Sequence, residues 1–170
     1  VHYCLTPTPA QQGVGFDRAF SWDSLLDGYP NVVLREPSDS VNIHSSSFFG
    51  VSVGEIAESI RKAKPDTVLV PGWYSWSLIR AAIAGRRLHV PVLFRGDSQL
   101  SRVKEPAFSL RNLRTRGLLR LYSHYLSVGT RNREFLTRHG VADHRIFFSP
   151  HCVDNDFIST VAESGRTAAA

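Results

Sequence analysis

The sequence has no methionine, only two cysteines and only three lysines among its 170 residues. It contains none of the His, Cys and Glu spacings that hold zinc, such as HExxH, and no GxSxG turn that would expose a hydrolase serine. No apolar run approaches the roughly 20 residues that a membrane-spanning helix needs, and no signal-peptide pattern opens the chain. We therefore expect a cytoplasmic protein with neither a metal site nor a hydrolase nucleophile.

The start of the chain and its cysteines lead to two further expectations. Residues 1–5 already have the composition of a strand, and because no methionine precedes them we expect residues to be missing from the front. Cys4 and Cys152 are far apart and belong to no CxxC pair, so we expect both to be reduced thiols in the core.

The charge is moderately positive, +5 at neutral pH, and 17 of the 20 basic residues are arginines. Such a balance favours anionic partners, among them phosphates, nucleic acids and acidic lipids. An arginine-rich helix is predicted at 106–122, starting at Pro106. The side chains expected to form its buried stripe are Leu110, Leu113, Gly117, Leu118 and Leu121. Its arginines form either a solvated face or a surface for a membrane or nucleic acid.

The stretch from residue 65 to residue 98 organises the chain. A uniformly apolar strand at 67–70 is followed by the turn Pro71-Gly72, a helix at about 74–88, a second apolar strand at 90–94 and a polar turn. A strand, a crossover helix and a strand within about thirty residues form a βαβ unit, which requires a parallel sheet. Because parallel sheets are buried on both faces, the pattern predicts helices on either side of the sheet.

Further strands and helices alternate along the rest of the chain. The other predicted strands are 1–5, 31–34, 125–128 and 145–148. The helix before residue 65 begins with a capping box of Ser52 and Glu55, and Glu58 is expected to pair with Lys62 in it. The alternation predicts one α/β domain, a Rossmann-like doubly wound parallel sheet with helices on both faces.

Three polar segments follow predicted strands, and ligands of open parallel sheets bind beyond the carboxyl ends of the strands. These segments supply the candidate site residues Gly72, Trp73, Arg95, Asp97, Ser98, Thr130, Arg131 and Asn132. Asp97 is either a turn residue that caps nearby N–H groups or an active-site acid. Residues 130–132 are either a capped helix start or an anion site. The incomplete glycine motif of Gly13 and Gly15 is interpreted as an ordinary loop.

Several segments, taken in order, resemble the N-terminal domain of the family 4 (group 1) glycosyltransferases. A strand ending at Ser127 leads to a helix that ends at Gly140-Val141, and a further strand leads to a hinge-like segment at 150–154. Residues 22–29, WDSLLDGY, are similar to a signature of one bacterial branch of that family. Residues 65–70 and 91–98 fall in the expected order, so the resemblance covers the chain from Val1 to about Phe157.

This resemblance implies a GT-B enzyme that transfers a sugar, with retention, from a nucleotide-sugar donor to a glycan, lipid or small-molecule acceptor. In that family the N-terminal domain holds the acceptor and a C-terminal domain holds the donor. The chain lacks the family's first strand, the glycine-rich loop after it, and the donor domain. We therefore expect residues 1–153 to be an N-terminally incomplete acceptor-side domain, and residues 154–170 to be a hinge or tail towards the absent donor domain.

The resemblance also implies roles for the candidate residues. Asp97 stands where many members place a His or an acidic residue that faces the reacting centre, so it is the expected catalytic residue. Arg95 is expected to hold Asp97 or an anionic group. The expected substrate-binding residues are Gly72, Trp73, Arg95, Ser98, Thr130, Arg131 and Asn132. No metal and no cofactor are expected beyond the nucleotide sugar of the complete enzyme, and the 170 residues alone should transfer no sugar.

Two other functions stay open at this point. The second hypothesis is a Rossmann-like module that binds without catalysis and pairs with a separate donor-domain chain, and the third is an arginine-rich nucleic-acid-binding domain. The expected partners are the donor domain, the acceptor and, through the arginine-rich helix, the inner membrane face. Nucleic acid is not expected, because no aromatic residues are interleaved with the arginines of residues 106–122.

Overall fold

The computed structural model describes residues 2–5, 30–35, 48–50, 53–100 and 109–152, together with 155, 156, 159, 160 and 162. Its strands are β1 (His2–Leu5), β2 (Asn31–Arg35), β3 (Val68–Pro71), β4 (Val92–Gly96), β5 (His124–Ser127) and β6 (Ile146–Phe148). Its helices are α1 (Ile56–Ala63), α2 (Trp76–Arg87), α3 (Leu110–Leu119) and α4 (Thr130–Arg138). A short 3-10 turn at Asp143–Arg145 precedes β6.

The strands pair in parallel throughout. β3, β4, β5 and β6 form one four-stranded sheet in that order, and β1 pairs with β2 in a second sheet. Val70, Phe94, Tyr125 and Ile146 are successive partners across the larger sheet, and all four are buried. The prediction of a Rossmann-like α/β domain with a parallel sheet through these four strands is confirmed.

The helices connect successive strands and pack on the side of that buried row. The larger core joins Val70 and Phe94 of the sheet to Ala82 of α2, Leu119 near the end of α3 and Leu136 of α4. α2 approaches β4 so closely that a Cβ on Gly85 would lie 2.6 Å from Cγ2 of Val92. A crossover connection between neighbouring parallel strands is right-handed, so a sheet that grows in one direction receives its helices on one face.

α1 extends the same helical layer. Its Ile56 and Ile60 pack with Val53 and Ala84 in a second core cluster, and Val68 and Leu34 border that cluster. Both clusters thus meet the larger sheet on the side of Val68 and Val70. None of α1–α4 contributes a core residue to the opposite side, where Leu69 is half exposed, so the described helices cover one face of this sheet where helices were expected on both.

The start of α1 differs from the predicted capping box. The helix begins at Ile56, and Glu55 occupies the N-cap position without a side-chain cap bond. Ser52 lies outside the described residues. The predicted pair is present: Lys62 Nζ lies 3.9 Å from Oε1 of Glu58, whose other carboxylate oxygen bonds Arg61.

The predicted buried stripe of α3 is wrong for three of its five members, whereas Leu118 and Leu121 are half-buried and Leu121 packs against the core. Leu110 and Leu113 are 85% and 65% exposed, and Gly117 is exposed as well. The buried residue is Leu119, nine residues and therefore two and a half helical turns after Leu110, which places it on the opposite side. The helix starts after Ser109, whose hydroxyl oxygen accepts a bond from the N–H of Asn112 at 3.2 Å.

Other predictions fall partly outside the described residues. Cys152 is exposed, so its assignment to the core is wrong, and the side chain of Cys4 is not described. The loop glycines Gly13 and Gly15 and the segment 22–29 also lie outside the described residues. None of the helices among the described residues is both long and apolar enough to cross a bilayer.

Candidate functional site

The carboxyl ends of β3 to β6 meet at one edge of the sheet. Pro71, Arg95, Leu126 and Phe147 are successive partners near the ends of the four strands. The segments that follow the first three strands contain all eight candidate site residues except Arg95, which lies within β4. As predicted, residues separated by long stretches of sequence are therefore brought to a common edge.

Asn132 joins the segments after β4 and β5. Its side chain is 3% exposed, its Oδ1 accepts a hydrogen bond from the N–H of Val128 at 3.3 Å, and its Nδ2 donates to the carbonyl oxygen of Ser98 at 2.7 Å. An amide is suited to this position because it offers a donor and an acceptor together. Asn132 thus fixes the backbone of the site and is too buried to contact substrate.

Asp97 lies on the segment that Asn132 fixes. Its side chain is exposed, and it makes no hydrogen bond or ion pair with any residue that the structure describes. The interpretation of Asp97 as a local cap is therefore not supported within the described residues. The residue before Asp97 is a glycine for a steric reason, because a Cβ on Gly96 would lie 2.7 Å from Cζ of Phe94.

Gly72 and Trp73 both contact residues of the hydrophobic core. Gly72 has a φ of +89°, which favours glycine, and its carbonyl oxygen accepts a bond from the Tyr122 hydroxyl at 3.2 Å. The ring of Trp73 stacks on Phe94 with centroids 4.8 Å apart and lies 6.0 Å from the ring of Phe135. Trp73 is half-buried, and these two ring contacts join it to the core at the edge of the sheet.

Tyr122 is a residue of the site that the sequence interpretation missed. Burial raises its pKa above the ordinary tyrosine value, and the neighbouring Tyr125 adds to the shift. The phenol stays protonated and can donate to Gly72 at all physiological pH values. The sequence offered one signal for Tyr122, its place shortly after an amphipathic helix. That signal does not reveal its hydrogen-bond partner, Gly72, which lies 50 residues away in the sequence.

Arg95 connects two strands and does not hold Asp97. Its Nη2 donates to the carbonyl oxygen of Pro150 at 3.1 Å, which ties β4 to the segment after β6. Its Nε is buried and has no hydrogen-bond partner in the described part of the chain. In sequence Arg95 follows Phe94, whose side chain is in the core, so the arginine leaves the sheet on the opposite face.

No side chain caps the start of α4. Gly129 occupies the N-cap position without a side-chain cap bond, so Thr130 is the first helical residue and not the cap. The first intrahelical bond runs from the N–H of Arg133 to the carbonyl oxygen of Gly129 at 3.0 Å. The N–H groups of Thr130 and Arg131 therefore lack intrahelical partners, and both side chains are exposed.

The structure thus divides the candidates into two groups. Asn132, Ser98, Gly72, Trp73 and Arg95 make contacts that hold the edge together. Asp97, Thr130 and Arg131 project from that edge. No group of three or more His, Cys, Asp or Glu side chains within the described part of the chain is arranged to hold a metal ion.

Comparisons with known proteins do not assign the chain to a family. A scan against protein-family models matches none of them, and a search of curated proteins finds no similar sequence.

Proposed function

We propose that the chain is the acceptor-binding half of a retaining glycosyltransferase, to which a separate domain brings the nucleotide-sugar donor. The observation that supports this most is the exposed carboxylate of Asp97 at the carboxyl edge of a parallel sheet, beside backbone that the buried Asn132 fixes. A polar loop side chain held in place by a rigid scaffold, and not used to stabilise it, is available to a ligand. The sequence resemblance supplies the reaction type.

In this proposal Asp97 contacts the reacting groups. Its carboxylate accepts a hydrogen bond from the acceptor hydroxyl and so orients the hydroxyl oxygen towards the sugar carbon. The same negative charge stabilises the positive charge that develops on that carbon in the transition state. The bond from Asn132 to Ser98 holds the neighbouring backbone, so Asp97 needs little reorganisation when the acceptor binds.

The start of α4 accommodates a negative charge on the acceptor. Two N–H groups without intrahelical partners and the helix dipole favour an anion at this position, and the guanidinium of Arg131 adds a bidentate donor. An acceptor that carries a phosphate or carboxylate next to its reacting hydroxyl fits both Asp97 and this helix start. The partner domain would face the same edge from the donor side, in the cytoplasm or at the inner membrane face.

NMR titration of the isotope-labelled chain tests the proposal with sugar phosphates and short oligosaccharides as probes. We expect sugar phosphates to shift the amide signals of Gly96, Asp97, Thr130 and Arg131, and uncharged oligosaccharides to shift mainly those of Gly96 and Asp97. Nucleotide sugars should leave all four signals unchanged, because the donor belongs to the other domain.

Matched variants identify which residues carry the binding. Arg131→Gln should weaken the sugar-phosphate titration, whereas Arg87→Gln, at the far end of α2, should not. Nucleotide-sugar binding at this edge would mean that the chain is a donor half, and probe-induced shifts confined to other surfaces would refute the assigned site.

A further inference from the structure

One side of α3 is both apolar and cationic. Leu110, Leu113, Arg114 and Gly117 follow one another at intervals that place them on a single side of the helix, and all four are exposed. The sequence of α3, LRNLRTRGLL, contains no acidic residue. Two leucines that an amphipathic helix normally buries therefore lie in water beside an arginine.

An aromatic cluster adjoins this side of α3. The guanidinium carbon of Arg114 lies 6.0 Å from the centroid of the Phe48 ring. Phe48 contacts Phe49 edge-on at 4.8 Å, and both rings lie about 6 Å from Trp76. Phe49 is 72% exposed. We call the resulting surface the exposed patch; it consists of Phe48, Phe49, Trp76, Leu110, Leu113 and Arg114.

The aromatic part of the exposed patch is held by α2. The N–H of Trp76 donates to the carbonyl oxygen of Phe48 at 2.8 Å. Arg80 donates to the carbonyl oxygens of Val53 and Gly54, each at 2.8 Å, and so fixes the segment that follows. The exposed rings are therefore presented by anchored backbone, which lowers the entropy lost when they bind.

The composition of the exposed patch matches the chemistry of a lipid surface. Aromatic rings and leucines gain free energy on entering the boundary between headgroups and acyl chains, and arginine binds the headgroup phosphates. A nucleic acid would use the arginines but would leave the leucines in water. The exposed Arg111 and Arg120 add further positive charge in and just after α3.

We propose that the exposed patch docks the protein onto the surface of a bilayer that contains anionic lipid. α2 and α3 each run from the carboxyl end of one strand back to the start of the next, so their first residues, which carry the patch, lie towards the carboxyl edge of the sheet. The proposal rests on the residues of the patch and does not require the chain to act on sugars.

Flotation of the 170-residue chain with vesicles tests this docking. The probes are vesicles of phosphatidylcholine alone and vesicles of equal parts phosphatidylcholine and phosphatidylglycerol, each at low and high salt. We expect binding to the anionic vesicles to exceed binding to the neutral ones, and to weaken but not vanish at high salt, because the apolar contacts are not screened.

Variants separate the two contributions. Leu110→Ser combined with Leu113→Ser should lower partitioning about tenfold or more, and Arg114→Gln should lower it about fivefold, on anionic vesicles only. The matched controls are Leu69→Ser, an exposed leucine of β3, and Arg87→Gln, an exposed arginine at the end of α2; both should bind as the unaltered chain does.

Melting temperatures check that the variants fold, and Phe49→Ser gives a second apolar variant outside α3 should the double leucine variant be unstable. Loss of binding in the patch variants with intact controls supports the proposal. Absence of vesicle binding, equal binding to neutral and anionic vesicles, or equal losses in the control variants would overturn it. Binding to duplex DNA that the double leucine variant leaves unchanged, without vesicle binding, would assign the surface to nucleic acid instead.

Discussion

Replacing Asn132 with alanine removes the bond that joins the segment after β4 to the start of α4, and also the bond that joins the end of β5 to it. The lost contacts are the acceptor for the Val128 N–H and the donor to the Ser98 carbonyl oxygen. A hydrogen bond of this kind contributes about 1 kcal/mol net, and more where its former partner is left without water. Because Asn132 is buried while its two partners are half-buried, we expect a loss of about 2–3 kcal/mol in the free energy of unfolding.

Urea denaturation and thermal unfolding measure this loss. For a chain of this size, the change corresponds to a fall in Tm of about 5–10 °C. Amide hydrogen exchange adds a local readout, because the N–H of Val128 should lose protection in the variant. The matched control is Thr130→Ala, two residues earlier on the exposed start of α4, which should change the stability by about 0.5 kcal/mol or less. Equal stability of the two variants, with unchanged exchange at Val128, would show that Asn132 does not hold the edge together.

Three further substitutions probe the same edge. Gly96→Ala should lower the free energy of unfolding by about 1–3 kcal/mol because its Cβ would meet the Phe94 ring. The control Gly117→Ala, in open space on α3, should raise it by up to about 1 kcal/mol. Equal urea midpoints for the two variants would contradict this expectation. Tyr122→Phe should cost about 1 kcal/mol at neutral pH. Burial raises the pKa of Tyr122 in the folded protein, so the contribution of its protonated form to stability is complete below pH about 10 and is lost progressively as the pH rises above it. The Tm of the variant should therefore fall less steeply at alkaline pH than the Tm of the unaltered chain. Asp97→Asn should leave the Tm unchanged and lower turnover about a hundredfold in an enzyme completed by a donor domain; a lower Tm with normal turnover would reject the catalytic role.

The parallel sheet was predictable because local signals and tertiary structure agree there. The apolar strands around Val70 and Phe94 are bounded by Pro71-Gly72 and by a polar turn, and the helix between them has the length that a crossover between parallel strands needs. Strand pairing then follows from the βαβ rule and does not depend on any individual contact. The common edge of the candidate residues follows from the same rule.

The helix α3 shows where this reasoning fails. Leu110 and Leu113 share a side with Gly117, whereas Leu119 lies opposite, so the leucines of this helix specify two competing faces. The face that is buried is the one that carries Leu119, the last residue of the helix, and Tyr122, which follows the helix and packs in the same core. Periodicity alone does not decide between two apolar faces of one helix, because the choice depends on what the helix packs against.

The roles of individual site residues depend on partners distant in the sequence. Nothing near Asn132 indicates that its amide would bond Ser98, and nothing near Trp73 indicates that Phe94 would receive its ring. Both residues were predicted to bind substrate because they follow strands of a parallel sheet, beyond whose carboxyl ends ligands bind, and because the resemblance implied it. Their contacts within the protein make them part of the scaffold.

The division between anchored and projecting residues has a consequence for how the site should respond to change. Asn132 and Tyr122 hold backbone through buried or half-buried bonds, so substitutions there act first on stability and only through it on binding. Asp97 and Arg131 make no such contact within the described residues, so substitutions there should act on ligands without changing the Tm. A site built to be rigid before its ligand arrives should show this separation, because the interactions that order its backbone are complete in the free protein. If substitutions of both groups instead changed stability and binding together, the edge would be ordered by its ligand, and the bond from Asn132 to Ser98 would be a minor part of its structure.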